Sequence, residues 1–193
     1  MNPESAPDKT GWRRQFRGIL KNIAPAQRKE ESIRAGELLR QQNIWRNARA
    51  ILFYAALPGE LDLTPLIPAA MHSGQIVALP RFVPAAGVYE AVLITEFAKD
   101  CAAGQFGISE PGAHCEAIAL NRLDLVLTPG LGFDLSGRRL GRGQGFYDRL
   151  LAEIAGVKCG VAFDSQVVAH LPAEGHDITM NFILTPTRWL EVS

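Results

Sequence analysis

The chain has 193 residues, of which 47% are hydrophobic and 21% charged, proportions that describe a globular domain able to bury one sizeable core. Its 20 basic and 20 acidic residues cancel, so no bulk field favours nucleic acid or an anionic membrane, and any anion site must be local. Cys101, Cys115 and Cys159 are odd in number without C-x-x-C spacing, which suits free thiols in a reducing compartment, and the lack of a secretory h-region or a long apolar run leads us to expect a cytoplasmic chain.

Residues 1–8 are polar with two prolines and are expected to be a disordered tail, leaving 9–193 as one domain. Trp12, Phe16, Ile19, Leu20 and Ile23 mark an amphipathic helix that Asp8 can cap and Pro25 ends or interrupts. Lys9 and Arg13 project from one face of it, about one turn apart. A covering helix over 26–42 carries Ile33, Ala35, Leu38 and Leu39. Residues 50–57, AILFYAAL, read as the first strand, closed by Pro58-Gly59 with Glu60 just beyond. Thr64-Pro65 opens another helix, Thr capping and Pro at its first position. Strands follow over 75–79, where Pro80-Arg81 turns the chain outward, and over 88–95. Phe106-Gly107-Ile108-Ser109-Glu110-Pro111 reads as an extended loop. His114 and Cys115 are adjacent but are set aside as a metal site, since no second pair of ligands has suitable spacing. Further strands are expected over 158–163 and 181–185, the last ended by Pro186. Strands alternating with helices imply an α/β layered domain with a mainly parallel sheet.

The stretch 124–151 organises the rest. Asp124 to Thr128 is a short apolar run closed by Pro129-Gly130, as in a buried parallel strand. A helix begins at Phe146, with Tyr147, Leu150, Leu151 and Ile154 on one face. Between them lies a loop of about seventeen residues, long enough to suggest function, with six glycines and three arginines. Gly141-Arg142-Gly143-Gln144-Gly145 immediately precedes the helix. Alternating glycines remove the Cβ atoms that would hold an anion away, and let successive N–H groups converge on phosphate oxygens at a helix N-terminus. The run is neither a dinucleotide fingerprint nor a P-loop, because Phe146 stands where the last glycine would be and no Gly-Lys-Ser/Thr follows.

The longer string D-L-V-L-x-P-G-L-x-F-D-x-x-G-x-R-L-G-x-G-x-G-[FY]-Y-D-R, from Asp124 through Arg149, resembles the signature of the 5-formyltetrahydrofolate cyclo-ligases, also called methenyltetrahydrofolate synthetases. Lys9 with Arg13, Gly59-Glu60, Leu79-Pro80-Arg81, Phe106-Gly107-Ile108 with Glu110-Pro111, and His176-Asp177 fall in the order that family shows. The resemblance implies a single-domain, three-layer Rossmann-like fold similar to the NagB/RpiA/CoA transferase-like superfamily. It also implies ATP- and Mg²⁺-dependent closure of 5-formyltetrahydrofolate to 5,10-methenyltetrahydrofolate by a monomer, through an N5-iminium phosphate.

The resemblance carries roles onto particular residues. Arg142, Gln144 and Tyr147 are implied as catalytic. Lys9, Arg13, Arg139, Gly141, Arg142, Gly143, Gln144, Gly145, Phe146 and Tyr147 are implied on ATP. Ala55, Glu60, Arg142, Gly143, Gln144, Gly145 and Phe146 are implied on the folate, and Asp148 and Asp177 on Mg²⁺. Phe146 replaces the first tyrosine of the common Tyr-Tyr-Asp, keeping a stacking ring without its hydroxyl, and Arg142 and Gln144 occupy variable sites. A non-catalytic folate- or nucleotide-binding module is the alternative of a different class; an RNA-binding role would need a basic patch that the balanced charge does not suggest.

Overall fold

The computed structural model describes residues 7–103, 109–172 and 177–192. Residues 1–6 of the expected tail, Phe106-Gly107-Ile108 and His176 lie outside them. The helices are α1 (Lys9–Lys21), α2 (Pro25–Arg40), α3 (Asn43–Asn47), α4 (Ile67–His72), α5 (Phe97–Asp100) and α6 (Phe146–Ala152). A main sheet comprises β1 (Ala50–Leu52), β2 (Ile76–Val83), β3 (Val88–Ile94), β4 (Leu125–Pro129), β5 (Val157–Val161), β6 (Phe182–Leu184) and β7 (Trp189–Glu191).

Its spatial order is β7-β6-β5-β4-β1-β2-β3. The inner strands β6, β5, β4, β1 and β2 run parallel, while β3 and β7 pair antiparallel at the two edges. β1 leads to β2 on one side, whereas β4, on its other side, leads away to β5 and β6. The strand order therefore reverses between β1 and β4. Every residue of these two strands is buried, as a sheet covered on both faces requires. Ile51 packs with Phe16 and Leu20 of α1, Ala35 and Leu39 of α2, and Ile67 of α4. Ala50 and Leu52 pack on the opposite face with Leu150 and Leu151 of α6, and Ile154 just beyond it. The sheet is thus the middle of three layers, consistent with the expected α/β class.

The first half of the signature builds this frame. The Asp124 carboxylate accepts from the N–H groups of Arg49 and Ala50 at 2.8 and 2.9 Å, setting the start of β1 beside β4. Asp134, fully buried, accepts from the N–H groups of Ser136, Arg138 and Leu171. Gln166 donates to the carbonyls of Gly130 and Leu131, each at 3.0 Å. α1 lies on this frame at Gly132, where a Cβ would come within 2.2 Å of the Phe16 ring.

Several local expectations need correction. β1 stops at Leu52, with one more bond from the Phe53 N–H to Ala78 O; its apolar continuation turns into the cleft wall instead. β2 does not end before Pro80 but runs to Val83. Ile76 and Ala78 direct their backbone toward the β1 side, so Pro80, two residues on, places its missing donor where β1 has ended and no ladder bond is lost. Thr64 does not cap a helix. It sits in a 3-10 turn over Thr64–Leu66, its N–H and hydroxyl both donating to Asp62, before α4 begins. α2 ends at Arg40, and its buried face is Ser32, Ala35, Gly36 and Leu39, with Ile33 exposed.

The long loop also contains regular structure. Gly132–Asp134 and Arg139–Leu140 form a hairpin, extended in parallel by Val167–Val168. Pro186 is a turn rather than the end of the sheet, because β7 follows antiparallel to β6. Among the described residues, no helix is long and apolar enough to cross a membrane.

Candidate active site

A cleft of about 540 Å³ opens past the carboxyl ends of β1 and β4, where the strand order reverses and open α/β sheets place their ligands. Ala55, Leu57 and Glu60 follow β1 into one wall, and Pro129 and Gly130 follow β4. Pro80, Phe82 and Tyr89 come from the β2–β3 hairpin, and Ser109 and Glu110 from the segment beyond it. Arg139, Gly141, Arg142 and the run Gln144 to Asp148 complete the lining.

The glycine-rich run has the backbone expected of an anion cradle. Gly143 and Gly145 adopt φ of +107° and +65°, which a side chain would strain. Gly145 caps α6. Among the described residues, the N–H groups of residues 142–148 find no backbone or side-chain acceptor, so they remain available to a ligand. From behind, Arg13 Nε donates to Gly141 O at 3.1 Å. Lys9, Arg13, Phe16 and Leu20 recur at helical spacing on one face of α1, so the packing of Phe16 and Leu20 sets the side on which the two cations project, and Arg13 reaches the loop. Lys9 Nζ donates to both Asp177 oxygens, at 3.0 and 2.8 Å.

Two ion pairs mark the cleft. Glu60 is buried; its Oε2 accepts from Leu57 N–H at 3.0 Å and its Oε1 from Arg142 Nη2 at 2.8 Å. The Arg142 side chain is itself 43% exposed and reaches from the loop across the opening. Arg139, by contrast, is buried: it donates to Asp148 Oδ1 at 2.6 Å and to Pro129 O at 3.2 Å, and its guanidinium lies 5.6 Å from the centre of the Tyr147 ring. Burial, then the Glu60 carboxylate, push the Tyr147 hydroxyl far above its ordinary value, with Arg139 opposing. That hydroxyl stays a proton donor at every physiological pH.

Of the residues singled out from the sequence, Ala55, Glu60, Arg139, Gly141, Arg142, Gln144, Gly145, Phe146, Tyr147 and Asp148 therefore line one cleft. Lys9, Arg13, Gly143 and Asp177 do not line it. Arg13 lies directly behind the loop, its guanidinium 3.7 Å from where a Gly143 Cβ would stand. Asp148 and Asp177 belong to no cluster of three close metal-ligating side chains among the described residues. Mg²⁺ does not need one, since it keeps waters and takes one or two carboxylates beside substrate phosphates. Asp148 offers such a hard oxygen to the cleft.

The sequence reading missed an aromatic wall. The Phe82 and Phe146 rings lie 5.0 Å apart, Tyr89 stands edge-on to Phe146 at 5.7 Å, and Tyr89 to Tyr147 is also 5.7 Å. The available signal was Pro80 and Phe82 on one face of a strand, with Arg81 on the other. Arg81 itself turns away, pairing with Glu90 at 2.9 Å and donating to the carbonyls of Gly112 and Cys115. Burial, then Glu110, raise the Tyr89 hydroxyl.

The sequence model of the 5-formyltetrahydrofolate cyclo-ligase family matches residues 5–186. A mouse 5-formyltetrahydrofolate cyclo-ligase is 26% identical over 187 residues, covering 91% of this chain and 92% of the relative. An Escherichia coli K12 protein of the same name is 34% identical over 145 residues, covering 73% and 80%. The NMR structure of Aquifex aeolicus 5,10-methenyltetrahydrofolate synthetase superposes with a TM-score of 0.85 at 29% identity, over 95% of this chain and 92% of that one. The Mycoplasma pneumoniae 5,10-methenyltetrahydrofolate synthetase shares the fold, with a TM-score of 0.73 at 18% identity over 93% and 99%.

Proposed function

We propose that this chain, which belongs to the 5-formyltetrahydrofolate cyclo-ligase family, closes 5-formyltetrahydrofolate to 5,10-methenyltetrahydrofolate in this cleft, consuming ATP to ADP and phosphate. The observation that carries the reading is the meeting, at the sheet's reversal point, of a donor-rich glycine loop with an aromatic wall and a buried carboxylate. The first suits phosphates and the others suit a flat heterocycle bearing N–H groups. We further assign the fold to the NagB/RpiA/CoA transferase-like superfamily, as a single-domain cytoplasmic monomer.

The chemical obstacle is a formamide. Amide resonance, which gives peptide bonds a rotation barrier of roughly 18–20 kcal/mol, leaves the N5-formyl carbon weakly electrophilic, and its oxygen would have to depart as hydroxide. Transfer of the ATP γ-phosphoryl group to that oxygen removes both difficulties. N10 then attacks the resulting N5-iminium phosphate, the C–O bond breaks, phosphate leaves with its bonding pair, and the N10 proton is lost to solvent.

In such a transfer, positioning and charge neutralisation dominate. The free N–H groups of residues 142–148 bind phosphate oxygens, and Phe146 offers its ring for stacking. Lys9 and Arg13 approach the phosphates from α1, and Arg139 holds Asp148 and Tyr147 in register. Arg142, already between the loop and Glu60, offsets charge on the transferring group, with Gln144 beside it. Tyr147, kept protonated, donates a hydrogen bond. Glu60 has accepting capacity left beyond Leu57 and Arg142 and takes the pterin N–H and amino donors, with Ala55 leaving room for the ring. Asp148 and Asp177 would hold Mg²⁺, which supplies charge to offset the phosphates. For Asp177 this requires Lys9 to exchange its carboxylate for a phosphate.

Purified protein given 5-formyltetrahydrofolate, Mg²⁺ and ATP is expected to generate the methenyl chromophore with equimolar ADP. No ATP-dependent chromophore at any practical enzyme concentration overturns the reading. Folate binding without ADP release would mark a binding module on the same fold.

A further inference from the structure

Outside the cleft, three side chains of metal-ligating type converge: Asp100, His114 and Cys115, their ligand atoms all within 4.8 Å of one another. We propose that they form a metal site of the zinc type, separate from the reaction centre and bracing one of its walls. Local spacing hid this, because the third ligand comes from α5, fourteen residues earlier in the chain.

Two of the three ligand separations are close to what a tetrahedral ion demands, and the third, between Asp100 and Cys115, lies within 4.8 Å and closes when the ion is bound. His114 Nε2 lies 3.2 Å from Asp100 Oδ1 and 3.8 Å from Cys115 Sγ. Ligand atoms bound to Zn²⁺ at about 2.0–2.3 Å stand roughly 3.3–3.6 Å apart at tetrahedral angles. Small adjustments therefore admit the ion between them. The donor set of one imidazole, one thiolate and one carboxylate is borderline-soft, which favours Zn²⁺ over Mg²⁺ or Ca²⁺.

The Asp100 carboxylate and the backbone of the turn carrying His114 and Cys115 are held in place, while the His114 ring meets Asp100 and Cys115. Asp100 Oδ2 accepts from Thr95 N–H, Thr95 Oγ1 and Glu96 N–H at 2.6, 3.0 and 2.8 Å, which leaves Oδ1 as the outward lone-pair donor. The turn carrying the other two is tied by Gly112 N–H to Asp100 O at 2.8 Å and Cys115 N–H to Gly112 O at 3.1 Å. Arg81, its charge met by Glu90, clamps the same turn through two carbonyls. Gly112 allows the imidazole to lie over the turn, since a Cβ there would come within 2.6 Å of the ring. Cys115 is buried, while the His114 side chain is 63% exposed, leaving a fourth position to solvent.

Binding would break the Cys115 S–H bond, form the metal–sulfur bond and release the proton to solvent. With Asp100 and the thiolate, a divalent ion is charge-neutral there. The site abuts the hairpin of Cys101–Ala103 and Ser109–Pro111, whose Ser109 and Glu110 line the cleft. A bound ion thus ties that wall to α5.

Co²⁺ serves as the spectroscopic probe. The reduced, chelator-treated full chain is titrated with Co²⁺ in excess Mg²⁺, which keeps hard carboxylate sites occupied. One Co²⁺ per chain is expected, with a near-ultraviolet thiolate-to-cobalt charge-transfer band displaced by Zn²⁺. Cys115→Ser should abolish the band. His114→Gln, at an exposed position that leaves folding intact, should weaken binding at least tenfold. No band in the folded protein overturns the proposal, as does a band whose affinity His114→Gln leaves unchanged. These readouts do not involve folate turnover, so their failure and that of the proposed reaction are separable.

Discussion

The two halves of the signature make opposite use of the same residue types. In the first, Gly132 is pressed against Phe16 and the buried Asp134 carboxylate is consumed by backbone donors of its own turn and of Leu171. In the second, Gly143 has no atom closer than 3.7 Å to its missing Cβ, and Asp148 faces the cleft with a single arginine partner among its hydrogen bonds. Glycine and aspartate serve packing before Leu140 and, after it, lie in or beside the cleft. The rigid half holds the open half still, which is what a phosphate cradle needs if its N–H groups are to be aimed without reorganising.

Substitutions can break this contrast, and the largest effect belongs to the frame. Asp134→Ala would strand the buried Leu171 N–H at about 1–3 kcal/mol and remove the acceptor of the Ser136 and Arg138 N–H groups at about 0.5–1.5 kcal/mol each, a large share of the stability of an ordinary domain. Urea denaturation should find the variant largely unfolded or lowered by several kcal/mol; a midpoint near wild type would show that the hairpin does not depend on this carboxylate.

Asp148→Asn should cut turnover more than a hundredfold, about 2.7 kcal/mol of barrier, with partial rescue by high Mg²⁺. It should also cost stability, about 1–3 kcal/mol, because the buried Arg139 loses its counter-charge. Near-normal turnover in the folded variant would assign the metal to another carboxylate. Glu60→Gln is expected next, raising KM for the folate about tenfold, roughly 1.4 kcal/mol, with kcat less affected. Equal loss in kcat for a folded protein would move Glu60 from binding to the chemical step.

Gly143→Ala, strained at positive φ by about 1–2 kcal/mol, should raise KM for ATP several-fold and lower the melting temperature in calorimetry by about 2–8 °C. The smallest effect concerns Tyr147. Burial holds its folded pKa above the ordinary 10.0, so the folded state keeps a proton that the unfolded chain gives up. Stability should be flat below about pH 10 and fall above it. Tyr147→Phe should make that fall shallower, and an unchanged slope would mean that other groups, such as the buried Tyr54, account for all of it.

Much of this was legible in the chain itself. Apolar runs marked β4 and β1, helical spacing marked α1 and α6, and alternating glycines marked the positive-φ turn ahead of α6, because each signal is local and has its own period. Less legible were the features that depend on what lies opposite. The strand propensity of 53–57 did not reveal that β1 would leave the sheet after Leu52 while β2 runs on to Val83, and nothing within 130–140 announced a hairpin completed by Val167–Val168. The aromatic wall was missed because Phe82 and Tyr89 read as ordinary residues of an edge hairpin until α6 packs beside them. His114 and Cys115 were passed over because their third neighbour belongs to another element.

The sequence by itself determined the backbone that can cradle an anion and the order of the principal strands and helices, since backbone freedom, capping and periodicity act over a few residues. Only the tertiary structure decided which charges meet. Glu60 and Arg142 are 82 residues apart, and Lys9 and Asp177 are 168 apart. An ion pair needs atoms within a few ångströms, and that closeness follows from the sheet reversing between β1 and β4 and from Phe16 seating α1 on Gly132, where long-range packing sets positions that no local pattern encodes.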